Sequence, residues 1–203
     1  MTFNVMLTGV GGEGVLTAAA IVASAAQNEG LSVHGLHLHG LAQRGGTIPT
    51  FVRFGKGAYS PGIMQADADL VLAFEPLEAA RATFYANKKK TLFIINDWPH
   101  MPVYANLLDM PYPNMTDIVK RIKPFAKNVM VFNTHKVALE KFGVAILGNT
   151  MLIGVAVGSR ALPLKETSVR NAITANVRRN TDKNLEAFKI GLNMGKNMEI
   201  FSK

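Results

Sequence analysis

The 203-residue chain contains no cysteine. That absence excludes disulfide staples, a cysteine nucleophile, a thiolate zinc site and any thiolate-held iron–sulfur cluster in this chain. It suits a reducing cytoplasm, the compartment we expect. Serine-nucleophile and lysine Schiff-base patterns are also lacking. Tryptophan occurs once, at Trp98, which reads as packing rather than as a site residue. No basic stretch is interleaved with aromatics and no nucleic-acid-binding motif is present, so nucleic acid is not expected as a partner. A long apolar span is lacking too. Residues 15–26 form an apolar stretch in which Ala23-Ser24-Ala25 mimics a cleavage site, but the first basic residue of the chain is Arg44. A signal peptide needs a positive flank before its apolar run, and this run is too short to cross a bilayer. The expectation is a soluble intracellular protein with no membrane partner.

What is present is an ordinary globular composition, 48% apolar and 18% charged. At about 150 residues per domain this length gives one domain. About 70% of the unfolded chain's surface can then be buried, enough for a core without staples. Charge is unevenly spread. The net charge is +8, yet residues 1–80 hold three basic groups against six acids. The surplus of +11 lies in residues 81–203, where it would attract an acidic partner or a polyanionic small molecule.

Strand-like and helix-like segments alternate. Phe3–Leu7 reads as a buried strand ending at Gly9, residues 14–29 as a helix closed by Gly30, and Leu31–Leu38 as a second strand. A glycine-rich loop at 39–47 leads to a strand over Ile48–Phe54. Asp69–Phe74 and Thr91–Ile95 are near-continuous apolar strands, separated by a helix over Pro76–Tyr85 that proline starts. Residues 97–113 carry four prolines and read as a loop. A helix over Thr116–Lys123 then leads to a strand at Val129–Phe132. The remainder reads as helices broken near Gly143, Gly158–Pro163 and Asn180, with Asn149 or Thr150 capping one of them. Doubly buried strands alternating with helices predict an α/β, Rossmann-like, largely parallel sheet flanked by helices, with a helical C-terminal third. The expected organisation is a single domain over 1–203, an α/β core at 1–133 followed by C-terminal helices at 134–203.

Three clusters could carry chemistry. Gly9-Val10-Gly11-Gly12-Glu13-Gly14 fits G-x-G-x-x-G between a strand and a helix. Small residues there let backbone N–H groups approach an anion at a helix N-terminus. A nicotinamide dinucleotide would also need an acid about 20 residues on. The second strand instead ends in His37-Leu38-His39, and Glu13 puts a carboxylate into the phosphate cradle. The turn is therefore either a phosphate-binding device or a structural strand-to-helix connection. The second cluster, His39-Gly-Leu-Ala-Gln43-Arg44-Gly45-Gly46-Thr47, gathers imidazole, amide and guanidinium among glycines. Arg44 could clamp a carboxylate or phosphate, or serve at an interface. His37 and His39 share a strand face, but no further converging ligand is signalled, so no metal is expected. Third, Glu75 follows the fourth strand, where open parallel sheets bind ligands, and is equally suited to starting the next helix. Asn96-Asp97 has the same position after the fifth strand.

Gly9–Gly14, His39–Ile48 with its Gln-Arg-Gly-Gly block, and Phe74-Glu75-Pro76-Leu77-Glu78-Ala79 together resemble the gamma-type domain of 2-oxoacid:ferredoxin oxidoreductases, and within that family its indolepyruvate branch. The likeness continues through Asn149–Gly154 and Asn184–Phe188, and so covers nearly the whole chain. Glu13 stands where the family usually has Gln, which leaves that side chain's role open. The resemblance implies a small subunit, inactive alone. The complex would oxidatively decarboxylate aryl 2-oxoacids to aryl-acetyl-CoA and reduce ferredoxin through a large alpha subunit. Thiamine diphosphate and iron–sulfur clusters are then expected in that partner, coenzyme A as co-substrate, and no cofactor on this chain alone. The residues implied near coenzyme A or the active site are Gly9, Gly11, Gly12, Glu13, Gly14, His39, Gln43, Arg44, Gly45, Gly46 and Glu75. The alternatives are a gamma subunit for an aliphatic substrate such as pyruvate, a stand-alone dinucleotide-binding oxidoreductase, a basic nucleic-acid binder and a purely structural subunit.

Overall fold

In the computed structural model, residues 1–38, 40 and 44–198 are described. His39 and Gln43 of the expected site lie outside them. Six strands, β1 (Thr2–Val10), β2 (Val33–His37), β3 (Thr47–Gly55), β4 (Leu70–Ala73), β5 (Leu92–Asn96) and β6 (Asn128–Phe132), form one sheet in the order β2-β3-β1-β4-β5-β6. β1, β4, β5 and β6 run parallel, while β3 is antiparallel to both of its neighbours. The sheet is largely parallel, as expected, and the exception has a simple cause. A crossover between parallel strands takes a dozen or more residues, and the short β2–β3 connection allows only a reversal.

Alternate residues of the central strands enter opposite layers, as the period of two demands. Val5, Leu7, Leu70 and Leu72 face one core, together with α1 (Val15–Asn28), α6 (Leu147–Gly158), α7 (Glu166–Asn176) and α8 (Thr181–Lys196). Met6, Val71, Ala73, Phe93 and Ile95 face the other, beneath α2 (Pro76–Arg81) and α4 (Met115–Ile122). The C-terminal helices therefore pack back onto their own sheet. Two more helices complete the described fold: α3 (Val103–Leu107), a helical turn inside the proline-rich loop expected at 97–113, and α5 (Thr134–Phe142). The helix expected over Pro76–Tyr85 is α2 followed by a 3₁₀ turn at Ala82–Tyr85.

α6 and α8 are joined through glycine. An ideal Cβ on Gly154 would lie 2.3 Å from the Phe188 carbonyl oxygen, and one on Gly191 would lie 1.8 Å from that of Met151. Gly158 and Gly195 are equally tight, against Leu192 and Val155. Two Gly-x-x-x-Gly pairs thus bring the helix backbones into direct contact. Asn149 and Thr150 do not cap α6 as expected, because the helix already begins at Leu147. The Asn149 amide instead donates to the Glu13 carbonyl, and the Thr150 hydroxyl to Asn184 Oδ1 at 2.6 Å. These bonds tie the C-terminal helices to the first turn of the chain and to each other.

Candidate functional site

The carboxyl ends of β1, β4, β5 and β6 form one rim, and the sequence clusters meet there. After β1 the chain turns through Gly9–Gly14 into α1. Gly12 has φ +93° and Gly14 φ +77°, left-handed conformations that strain any L side chain. A Cβ at Gly9 would lie 2.8 Å from Val15 and 3.2 Å from Phe74, so that glycine serves close strand–helix packing. The turn is clamped by the second cluster. Gly11 N–H donates to the Gly46 carbonyl at 2.8 Å, and Gly45 N–H donates to the Gly11 carbonyl at 3.2 Å. Glu13 N–H is used within the turn, on the Val10 carbonyl at 3.1 Å. The amides of Gly12 and Gly14 lie outside this exchange. α1 starts at Gly14 with no side-chain cap. The exposed Arg44 lies beside the turn, its Cγ 3.9 Å from where a Gly12 Cβ would be. An uncapped helix start flanked by a guanidinium is suited to holding an anion.

Glu75 follows β4 and is buried. Its Oε2 accepts the Glu78 N–H at 2.9 Å, capping α2, while Oε1 accepts the Tyr112 hydroxyl and, at 3.3 Å, the His100 N–H. Both oxygens therefore hold the helix start and the 97–113 loop in place. Tyr112 also accepts from Leu77 N–H at 3.2 Å. Burial, followed by the bond to Glu75 and that carboxylate's charge, pushes the Tyr112 phenol above its ordinary pKa.

Further polar residues lie on either side of Glu75, Asn96 among them as its position after the fifth strand suggested. Glu78 is buried, with Oε1 2.6 Å from the Arg81 guanidinium and 3.1 Å from the Thr47 hydroxyl that donates to it. Burial raises its pKa, and the charge of Glu75 adds to this. Arg81 and the Thr47 hydroxyl oppose the rise. Through Thr47 this carboxylate ties α2 to the strand that follows Gly45-Gly46. Its signal in sequence is Glu-Pro-x-Glu, a cap followed by proline at the first helical position and an acid two residues later. On the other side, Asn96 ends β5. Its Oδ1 accepts from Thr134 N–H (2.9 Å), Thr134 Oγ1–H (2.9 Å) and His135 N–H (3.3 Å). Three donors on Oδ1 fix the amide, so Nδ2 is what faces His135 Nδ1 at 2.7 Å. Nδ1 must then be the acceptor, which puts the ring proton on Nε2. Burial lowers the pKa of His135 to about 4, so the ring is neutral near pH 7. Trp98 stacks on it, with ring centroids 5.6 Å apart. His135 has no local sequence signal, because its partner lies 39 residues away.

The rim is thus built for binding and shape: glycine amides, the exposed Arg44 and Arg81, and the engaged Glu75 and His135, while Glu78 keeps Oε2 buried with no hydrogen-bond partner among the described residues. Among the described residues no group of three or more His, Cys, Asp or Glu could hold a metal ion, and no helix is long and apolar enough to cross a membrane.

A solved structure shares the fold. The gamma subunit of a keto/oxoacid ferredoxin oxidoreductase from Geobacter sulfurreducens PCA superposes with a TM-score of 0.68 over 96% of this chain and 98% of that one, at 18% identity. The Pyruvate ferredoxin/flavodoxin oxidoreductase family profile matches residues 4–194, and the chain belongs to that family. Within it, the chain is 35% identical to "Indolepyruvate oxidoreductase subunit IorB" of Thermococcus kodakarensis, with 97% of each chain covered. It is 36% identical to the protein of the same name from Pyrococcus horikoshii, again over 97% of each.

Proposed function

We propose that this chain is the small subunit of a complex that oxidatively decarboxylates aryl 2-oxoacids such as indolepyruvate. The complex joins the resulting acyl group to coenzyme A, releases carbon dioxide and passes two electrons to ferredoxin. The near full-length match to subunits named for indolepyruvate carries this reading. Thiamine diphosphate, when bound, supplies the carbanion chemistry of decarboxylation. With no cysteine this chain cannot supply thiolates to an iron–sulfur cluster, and among the described residues no group of three or more His, Cys, Asp or Glu could hold a metal ion. Thiamine diphosphate and the clusters belong in this reading to a large cytoplasmic alpha subunit, which also contacts ferredoxin. The basic surplus of residues 81–203 suits a larger acidic partner.

The chain's own contribution is an interface and a wall beside coenzyme A. The Gly12 and Gly14 amides and Arg44, beside Gly45 and Gly46, offer anion contacts for its phosphates or for a partner carboxylate. Glu75 positions rather than binds, since both its oxygens are engaged within the chain. The test is anaerobic reconstitution. The large subunit is assayed for coenzyme-A-dependent viologen reduction by indolepyruvate, with and without this chain. Activity that requires both supports the proposal, and full activity of the large subunit alone overturns it.

A further inference from the structure

The two faces of the sheet are finished differently. On one, the segment 147–196, which forms α6, α7 and α8, exposes no large apolar side chain. The other is covered by the short α2 and α4, with Tyr112 of the preceding loop packed on the same core. On this side Leu107 and Leu108 are 72% and 68% exposed, and Phe84, Met110 and Phe125 are about half exposed. Single exposed apolar side chains are ordinary, whereas a concentration of them on one face marks an interaction site. Met110 stands two residues before Tyr112, whose hydroxyl is bound to Glu75 at the rim. Phe84 and Phe125 follow α2 and α4 at the opposite end of the sheet. Between these ends α4 spans about 12 Å, and its last turn is basic. Lys120, Arg121, Lys123 and Lys127 are exposed, and Lys88 joins them by donating to the Lys123 carbonyl at 2.8 Å. None of the five forms an ion pair with an acid of the described residues. The acid exposed on α4, Asp117, lies in its first turn and is bound by the Asn114 amide.

We propose that this α2/α4 face is the surface on which the large subunit docks, an assignment that rests on reading the chain as a small subunit. The matching surface of the large subunit is acidic and carries apolar sockets. Exposed aromatic, leucine and methionine side chains supply the centre that is buried on docking, and the cations of α4 steer the approach and fix the register. A second copy of this chain does not suit the face, because it would set the same five cations against themselves. Docking along α4 leaves α6, α7 and α8 open to solvent, in keeping with their lack of exposed large apolar side chains. It also brings the partner up to the rim through Met110 and Tyr112, at the end of the sheet where Glu75 and the glycine turn lie.

The test is the affinity of the full chain for its purified large subunit, measured anaerobically by biolayer interferometry. Lys120→Glu/Arg121→Glu should weaken binding at least about tenfold and flatten its dependence on salt between about 50 and 500 mM NaCl. Leu107→Ser/Leu108→Ser should also weaken it at least about tenfold, with the salt dependence kept. Arg178→Glu/Arg179→Glu makes the same charge change on exposed residues of the opposite layer and should bind as wild type does. All six positions are exposed, so an unchanged melting temperature will show that each variant keeps its fold. The two variants of the face lie on different segments, so a folding defect in one leaves the other as the test. Variants of the face that bind as tightly as wild type overturn the proposal, as does an equal loss in the variant of the opposite layer. Either result leaves the subunit reading standing. Failure of the wild-type chain to bind the large subunit overturns that reading and this one with it.

Discussion

His135 makes the stability of this fold depend on pH in a way that can be isolated. Burial lowers its pKa from an ordinary 6.5 to about 4. Protonation would also set a ring N–H against the fixed Asn96 amide donor at 2.7 Å. Between those two pH values the unfolded chain binds a proton that the folded chain refuses. The stabilisation is therefore fully present above about pH 6.5, is lost as pH falls toward 4, and changes no further below that. At about 1.4 kcal/mol per pH unit, the loss across the window is about 3 kcal/mol, a large part of a typical domain's 5–15 kcal/mol. Trp98 is the only tryptophan and stacks on the ring, so its fluorescence reports unfolding at the relevant place. Urea titrations at pH 7.0, 6.0, 5.0 and 4.5 should be compared with those of His135→Asn, which keeps a carbonyl acceptor near the Nδ1 position. Carboxylate titrations contribute equally to both proteins, and the difference between them isolates His135. The wild-type curve should fall more steeply by about 1.4 kcal/mol per unit within the window. Parallel curves for the two proteins would refute the assignment of a buried neutral imidazole.

Three further outcomes follow from named contacts. Gly191→Ala should destabilise the fold by about 3 kcal/mol or prevent folding, because the added Cβ meets a backbone oxygen that cannot rotate away; a denaturation midpoint equal to wild type would contradict the close α6–α8 contact. Tyr112→Phe should cost about 1–3 kcal/mol by removing the hydroxyl from buried Glu75, and should speed proteolytic cleavage within 97–113; an unchanged digestion pattern would show that the bond does not hold that loop. Arg44→Ala should leave stability within about 0.5 kcal/mol, since the side chain is exposed. In the assembled complex it should raise the KM for coenzyme A or weaken assembly, and no change in either would remove Arg44 from the site.

Much of the architecture was legible because it rests on local patterns. The glycine turn between β1 and α1, the apolar runs of β4 and β5 and the breaks at Gly143 and Asn180 all reflect constraints carried by a few adjacent residues. The antiparallel β3 was hidden in a connection length rather than in any strand's composition. Gly154, Gly158, Gly191 and Gly195 are a different case. Gly158 reads as an interruption along the chain, and only the facing helix reveals the two glycine pairs as a packing device. Asn149 and Thr150 looked like caps because their chemistry suits a helix start, yet their partners, Glu13 and Asn184, lie 136 and 34 residues away. The candidate site divides along the same line. Gly9, Gly11, Gly12, Gly14, Gly45 and Gly46 are signalled by motif and Asn96 by its place after a strand, whereas Tyr112 and His135 acquire their roles only through partners brought together by the sheet.

The measurement that tests the central claim most directly is anaerobic purification of this chain from its native cells. The co-purifying chains would be identified and the eluate assayed for coenzyme-A-dependent viologen reduction by indolepyruvate. The account predicts a large, cysteine-rich partner and that activity in the same fraction. Recovery of the chain alone, with no activity on any 2-oxoacid, would contradict it.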